Sequence, residues 1–270
     1  MSGKYTHGHH ESVLASHRWR TIANSARYLE SHLVAGRSLL DVGSGPGSIT
    51  VEFAERVSPA AVIGVDAAPA AVAAATAFAA DTAPEAAVSF LEADALALPF
   101  DDGAFDIVHT HQTLQHVADP VGMLREMARV TAADGVLAAR EVDYAATTWF
   151  PLIDGLDLWL DVYRRVHRAT SGEPDAARHL RAWAFEAGLV APRFSASAWL
   201  FTEPDDREWW GGAWARRAIE SDFARHALDG GHASRDELQT ISAAWSQWAA
   251  HEHGWLTMTH GELLAGPGPR

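Results

Sequence analysis

Glycine is concentrated at one point of the chain, where an apolar segment ends in an acid. In LLDVGSGPGSIT (residues 39–50), Gly43, Gly45 and Gly47 follow Asp41, and a second apolar pattern begins directly after them. A strand that breaks into a glycine turn and continues as a helix is typical of ligand-binding loops, because glycine lets the backbone approach a ligand closely. The sequence therefore predicts a ligand site at the end of the first strand.

The residues after the last glycine limit the kind of ligand. A triphosphate-binding loop has lysine there, followed by Ser or Thr, whereas Gly47 is followed by Ser48 and Ile49. The dinucleotide fingerprint has its third glycine at the position of Ser48, and its strand normally reaches the first glycine without an acid. The residues of the loop alone are also compatible with a purely structural turn.

Two acids follow the next two predicted strands. Asp66 ends the second strand about 20 residues after the loop, where a carboxylate can accept hydrogen bonds from a ribose diol. Asp94 ends the third strand, and the carboxylate or its neighbouring backbone can meet an adenine amine. Each acid alone can also be a helix cap. Together with the glycines, they indicate a slot for a nucleoside with a zwitterionic tail and no phosphates.

Three histidines, His109, His111 and His116, follow the fourth predicted strand in HTHQTLQH. Histidine is the usual general base near neutral pH. We expect His111 to line the ligand slot and to be a candidate base. We expect His116 to contact the acceptor or act as its base; the alternative is that His116 caps or packs the next helix.

Other aromatic and histidine residues are candidates for the rim of the site. Tyr5, in the N-terminal YTHGHH, is expected to belong to a segment that closes over the ligand, although a loose tail fits equally well. No carboxylate lies at a suitable spacing from these histidines, so we predict no metal. On the acceptor side, the expected substrate contacts are Tyr144, Trp149, Trp209, Trp210 and Trp214. An aromatic lid suits an apolar or aromatic acceptor, and ordinary helix packing is the alternative; a cage for a cationic amine is a third interpretation.

The positions of the predicted elements favour a parallel, doubly wound α/β sheet with its ligand beyond the carboxyl ends of the strands. After a helix over 11–34, strands at 38–42, 61–66, 88–92, 105–110 and 136–142 alternate with helices up to residue 145. The pattern then predicts helices over 149–171, 176–187 and 205–250, and strands over 192–201 and 254–263.

These motifs, taken in order, resemble the class I S-adenosylmethionine-dependent methyltransferases, and in particular the ubiquinone and menaquinone biosynthesis group. The resemblance covers residues 37–142 and rests on LLDVGSGPGSIT, VIGVD, LEADALALPF, FDIVHTHQTLQHVADP and EMARVTAADGVLAAREVD. It implies a seven-stranded Rossmann-like sheet whose last strand is antiparallel. It also implies S-adenosylmethionine as cofactor and S-adenosylhomocysteine as product. The cofactor contacts expected from the loop and strand ends are Tyr5, Gly43, Ser44, Gly45, Gly47, Asp66, Ala67, Asp94, Ala95, His111 and Gln112.

The resemblance implies that the glycine loop carries the methionine part of the cofactor, Asp66 the ribose, and the Asp94–Ala95 pair the adenine. We interpret residues 1–270 as one domain. Its parts are an N-terminal lid and helix (1–35), a cofactor-binding core (37–145), acceptor-side helices with a strand (146–250), and the final strand (254–263).

Composition narrows the function. The net charge of −14 disfavours nucleic acid as a partner, and the chain has no cysteine. No apolar run reaches the roughly 18 residues of a membrane span, and no secretory stretch begins the chain, so we expect a cytoplasmic protein without stable membrane association. The leading hypothesis is methyl transfer to a small, apolar or aromatic acceptor. The alternatives are a quinone C-methyltransferase, a cofactor-binding protein that does not methylate, a nicotinamide oxidoreductase and an RNA methyltransferase. The oligomeric state stays open.

Overall fold

The computed structural model describes residues 19–268, which form one eight-stranded sheet with helices on both faces. The strands alternate with helices through β5, as the two hydrophobic periodicities predict. The strands are Leu39–Val42 (β1), Val62–Asp66 (β2), Val88–Glu92 (β3), Phe105–His111 (β4), Thr131–Val142 (β5), Thr148–Phe150 (β6), Val190–Phe201 (β7) and Trp255–Gly266 (β8).

The α-helices begin with the signals that the sequence carries. Asp119 accepts a hydrogen bond from the Gly122 N–H, and Pro120 occupies the first helical turn; an acid cap followed by proline is a typical helix start. The helices are Ser48–Val57 (α1), Pro69–Thr82 (α2), Pro120–Val130 (α3), Asp154–Ala169 (α4), Leu180–Glu186 (α5), Pro204–Glu220 (α6), Asp222–Asp229 (α7) and Arg235–Ala250 (α8). Among the helices of residues 19–268, none has the length and apolar character that crossing a membrane requires.

The strand order creates one reversal point. β1, β2 and β3 run parallel in one direction across the sheet, and β4 and β5 continue in parallel on the other side of β1. The carboxyl ends of β1 and β4, at Val42 and His111, therefore flank the switch point where open α/β sheets bind ligands. β8 is antiparallel to β5, which confirms the predicted orientation of the last strand.

Two predicted helices differ from the structure. Within the described residues, the segment predicted as an N-terminal helix forms a π-helix at Ile22–Ala26 and a 3-10 helix at Arg27–His32. The helix predicted over 149–171 begins only at Asp154, because Trp149 lies in β6 and pairs with Leu256 of β8. The sheet consequently has one short strand more than predicted.

The helical stretch predicted over 205–250 is three helices. It is broken at Ser221, whose hydroxyl accepts from the Phe223 N–H, and near Gly230; the last helix starts with a capping box of Ser234 and Glu237. After each break, a serine caps the first N–H groups of the next helix, so local capping decides where the helices begin.

Tryptophan builds the core of the C-terminal helical layer. The Trp159 ring of α4 meets the rings of Trp214 and Trp245 edge to face, with centroids 4.9 and 4.8 Å apart. These three indoles and Trp248 are fully buried. Such contacts add to the free energy gained from burying their apolar area. The helices α4, α6 and α8 are thus joined mainly by aromatic packing.

A tryptophan that packs in the core should matter for stability even without ligand. Trp214→Ala is expected to lower the free energy of unfolding by about 3–5 kcal/mol, because a fully buried indole leaves a cavity. The matched control is Trp255→Ala, which removes a partly exposed indole from β8 and should cost less. Denaturant unfolding measures both. A loss below about 1 kcal/mol for Trp214→Ala would contradict a packing role.

Candidate functional site

The glycine loop has a backbone that side chains would obstruct. Gly43, Gly45 and Gly47 all have positive φ, at 74°, 55° and 82°. A Cβ on Gly43 would overlap the Thr113 side chain, and one on Gly47 would lie 2.7 Å from Phe90 Cζ. The loop therefore needs glycine for both conformation and space.

A buried pair of side chains fixes where this loop begins. Asp41 Oδ1 lies 2.8 Å from His109 Nδ1, and Asp41 Oδ2 accepts a 2.6 Å hydrogen bond from the Thr50 hydroxyl. These side chains come from β1, β4 and α1, and all three are buried. A buried carboxylate is stable only when it is paired in this way, so the contact locks both strands and the helix start into one geometry.

The loop opens into a small cleft at the switch point, which we call the switch-point cleft. Its lining comes from the N-terminal segment, the loop, the start of α1 and the end of β4, namely Arg20, Asp41, Gly43, Ser44, Pro46, Ser48, Ile49 and His111. Arg20 is the cation of this lining. Its Nη2 donates to Gln112 Oε1 at 2.8 Å, and its guanidinium lies over the Trp199 ring, 5.5 Å from the centroid.

His111 lies in this cleft in the neutral form. Burial, together with the positive charges of Arg20 and Arg140, lowers the pKa of His111 well below its usual value. Neither ring nitrogen has a hydrogen-bond partner within residues 19–268. A neutral imidazole can face a cationic ligand without repulsion, but its low pKa makes it a weak base. A buried, neutral ring is better suited to a ligand contact than to the role of a base, and both roles of His111 stay predictions.

Asp66 connects the loop to the next helix. Its Oδ2 accepts from the Gly45 N–H at 3.0 Å and its Oδ1 accepts from the Ala68 N–H at 2.9 Å, beside Ala67. A carboxylate offers about four acceptor positions, so these bonds are compatible with a ribose diol. The helix that follows has Ala68 as its N-cap and no side-chain cap, so Asp66 is not the helix cap that the sequence offered as an alternative, and its ligand role stays a prediction.

Asp94 lies at the outer rim. It is exposed and accepts from the Leu96 N–H at 2.9 Å, and the half-buried Ala95 packs against the core. The assignment of Asp94 and Ala95 to the adenine stays a prediction.

The predicted acceptor-side residues do not form one wall. Trp210 and Trp214 are buried in the core of the helical layer, where packing occupies their rings, so packing, the sequence alternative, is their observed environment. Trp149 and Trp209 are partly buried at its margin. Tyr144 is buried with its ring 4.2 Å from that of Tyr163. Acceptor contact by these residues stays a prediction.

His116 ends a 3-10 turn, Leu114–His116, directly after the cleft. Its half-buried ring lies 4.8 Å from the ring of His167 in α4, centroid to centroid. The environment matches the packing alternative, and the role of His116 as a base stays a prediction. Tyr5 lies outside the described residues.

An aromatic cluster that the sequence did not identify adjoins the cleft. Trp19 contacts Trp199, Phe201 and Trp209, with centroids 5.2 to 5.5 Å apart. Trp199 also lies 5.7 Å from His111. Only the alternation of β7 signals that Trp199 faces the sheet's ligand side; nothing in the sequence marks Trp19.

Glu141, near the end of β5, is a fully buried acid. Its Oε1 accepts from the Thr113 and Leu114 N–H groups at 2.9 and 2.7 Å. Burial raises the pKa of Glu141 to about 8, against the opposing effect of these backbone hydrogen bonds. The carboxyl is therefore largely neutral near pH 7.

The cleft fits the cofactor that the sequence resemblance implies. Gly43 and Gly47 pack so closely on Thr113 and Phe90 that neither can carry a Cβ, and the loop lines the cleft. α1 begins without a side-chain cap, which leaves its first N–H groups as an anion site beside Ser48 and Ile49 of the lining. The Ser44 hydroxyl is buried without a hydrogen-bond partner in the described part of the chain. These donors, with Arg20, suit a carboxylate, while the neutral His111 tolerates a nearby cation.

Comparison with known proteins supports this assignment. Residues 40–139 match a family model described as a methyltransferase domain. A methyltransferase of Schizosaccharomyces pombe described as uncharacterized is 32% identical over 96% of this chain and 95% of its own length. The demethylmenaquinone methyltransferase of Thermus thermophilus is 42% identical over 40% of this chain and 48% of its own. The structure of the Bacillus subtilis YcgJ protein superposes with a TM-score of 0.58 at 21% identity, over 90% of this chain and 97% of that one.

The burial of Glu141 should appear in the pH dependence of stability. Because its folded-state pKa is raised from 4.5 to about 8, the folded protein holds a proton that the unfolded chain has lost, and stability falls as pH rises through this interval. Glu141→Gln removes this loss. Its stability relative to wild type should therefore rise by up to about 1.4 kcal/mol per pH unit from about pH 5 to 8.

Denaturant unfolding from about pH 5.5 to 8.5 measures this slope. The control is Glu126→Gln, because hydrogen bonding to Arg129 lowers the pKa of Glu126 and places its titration below this window. Equal slopes for the two variants would show that Glu141 is ionised in the folded state.

Proposed function

This chain belongs to the class I S-adenosylmethionine-dependent methyltransferases, and we propose that it transfers a methyl group to a small acceptor that is apolar or aromatic. The observation that supports cofactor use most strongly is the switch-point cleft, in which the glycine loop, the start of α1, Arg20 and His111 lie together. The observation that supports an aromatic or apolar acceptor is the cluster of Trp19, Trp199 and Trp209 beside it.

We assign each part of the cofactor to different residues of the site. When bound, S-adenosylmethionine supplies a methyl group on a positively charged sulfur. The acceptor atom attacks the methyl carbon in line with the carbon–sulfur bond, and the sulfur is the leaving group. The loop, α1 and Arg20 would hold the carboxylate of the cofactor, Asp66 would accept from the ribose, and the Asp94–Ala95 segment would meet the adenine. Because burial keeps His111 neutral, it would add no positive charge next to a sulfonium.

His116 is the proposed general base for an acceptor that must lose a proton. As the acceptor atom bonds to the methyl carbon, the acceptor's proton passes to the imidazole and the electron pair of the broken bond stays on sulfur. Burial lowers the pKa of the neighbouring His167 to about 4, so that ring is neutral and does not repel a protonated His116. Tyr144, Trp149 and Trp209 are the proposed acceptor contacts from the helical layer, with the segment that contains Tyr5 as the proposed cover.

Label transfer tests the proposed reaction. The purified protein, incubated with methyl-labelled S-adenosylmethionine and a fractionated metabolite extract, should place label in apolar or aromatic products, with one S-adenosylhomocysteine formed per label. His116→Ala should reduce the rate by about 10²-fold or more where the acceptor loses a proton. Tight cofactor binding without label transfer to any fraction would favour the alternative of a cofactor-binding protein that does not methylate.

Binding calorimetry tests the proposed ligand role of Asp66, beyond the hydrogen bonds that it accepts from Gly45 and Ala68. Asp66→Ala should weaken S-adenosylhomocysteine binding by at least about 100-fold, because hydrogen bonds to a charged acceptor are each worth about 1.5–3 kcal/mol. The matched control is Asp119→Ala, which removes the carboxylate cap of α3 that accepts from the Gly122 N–H. It should cost about 0.5–2 kcal/mol of stability and leave affinity unchanged. Equal affinities in the two variants would contradict the placement of the ribose.

A further inference from the structure

One carboxyl oxygen of β5 accepts two hydrogen bonds from the 113–115 turn after β4. Glu141 Oε1 accepts from the N–H groups of both Thr113 and Leu114, at 2.9 and 2.7 Å. The other oxygen, Oε2, is buried and has no hydrogen-bond partner among residues 19–268. A buried acid costs stability unless a specific contact offsets it, and this contact is with the turn.

The same turn supports the glycine loop. The Thr113 side chain fills the space in which Gly43 would carry a Cβ, and its hydroxyl lies 3.4 Å from the Val42 carbonyl oxygen. Because the loop and the turn are in direct contact, a displacement of Thr113 changes the position of the first loop glycine. The geometry of the cleft thus depends on the position of the turn.

The residue before the turn has a strained backbone. Gln112 has φ of 53°, a conformation that side chains other than glycine rarely adopt. Its N–H donates to the Arg140 carbonyl at 2.8 Å, and its side chain meets Arg20 and His260, each at 2.8 Å. Contacts with Arg140, Arg20 and His260 therefore hold Gln112 in this strained conformation.

The far end of the turn is held from the helical layer. The Gln115 carbonyl lies 2.7 Å from His167 Nε2, and it accepts from the Glu173 N–H at 2.9 Å. The 113–115 turn, between Gln112 and His116, is thus fixed at one end by the helical layer and at the other by Glu141.

We propose that Glu141 is a positioning residue, which holds the 113–115 turn against the glycine loop and so keeps the cleft in the form that binds the cofactor. The inference rests on the proposed use of S-adenosylmethionine. The carboxyl acts through its acceptor oxygen, which a glutamine side chain also provides. Glu141 takes no proton from the acceptor. Replacement by glutamine, which keeps the acceptor oxygen, should therefore preserve cofactor binding, whereas replacement by alanine, which removes it, should not.

Calorimetry with S-adenosylhomocysteine tests the role, using Glu141→Ala and Glu141→Gln. Glu141→Ala should weaken binding by at least about 10-fold, because the turn loses two hydrogen bonds to one acceptor. Glu141→Gln should bind within about threefold of wild type and retain turnover with any acceptor found. The control is Asp106→Ala: Asp106 accepts from the Ser38 N–H at 2.8 Å at the opposite end of β4, and its loss should not change affinity.

Wild-type affinity in Glu141→Ala would overturn the inference, as would a Glu141→Gln protein that binds as weakly as Glu141→Ala or that binds normally without turnover. A wild-type protein that fails to bind S-adenosylhomocysteine would instead contradict the proposed function. If Glu141→Ala does not fold, hydrogen exchange at Thr113 and Leu114 decides. Their amides should exchange slowly in wild type and in Glu141→Gln, and more slowly still with saturating ligand; exchange that the ligand leaves unchanged would overturn the inference.

Discussion

The contact between Asp41 and His109 joins the two strands that flank the switch point, and the rest of the site is built outward from it. Asp41 lies in β1 two residues before Gly43, His109 lies in β4 two residues before His111, and Thr50 ties α1 to the same carboxylate. Because all three groups are buried, none of them can exchange its partner for water. The loop therefore leaves β1 in one direction, with α1 pointing its N-terminus at the cleft.

Charge around the cleft is arranged by burial as much as by residue type. Two guanidinium groups lie close to the Trp199 ring, with Arg20 5.5 Å and Arg140 5.3 Å from its centroid. Burial and the charge of Arg140 lower the pKa of His260 well below its usual value, as burial and the arginines do for His111. The arginine side of the cleft is therefore positive and suits a carboxylate, whereas the neutral histidine rings beside it suit a sulfonium. This positive side lies inside a chain whose net charge is −14.

Most of the fold can be predicted from the sequence, because strands and helices differ in hydrophobic period and the short connections between them allow few topologies. The positions of the loop and of Asp66 at one edge of the sheet were predictable because the ends of parallel strands meet there, whereas the antiparallel orientation of β8 was implied only by the family resemblance. Arg20 was not predictable, because its partner Gln112 lies 92 positions away and no local pattern marks it. An acid inside the buried strand β5 was the available signal for Glu141. The tryptophans show the limit of composition, since a buried ring and a ligand-contacting ring have the same sequence pattern.

The most direct test of this account is a crystal structure of the protein with S-adenosylhomocysteine. The account predicts that the homocysteine carboxylate lies at the N-terminus of α1 and beside Arg20, over the Gly43–Gly47 loop. It also predicts the ribose hydroxyls within about 3 Å of the Asp66 carboxylate and the sulfur next to His111. A ligand bound outside the switch-point cleft, or a ribose that makes no hydrogen bond to Asp66, would contradict it.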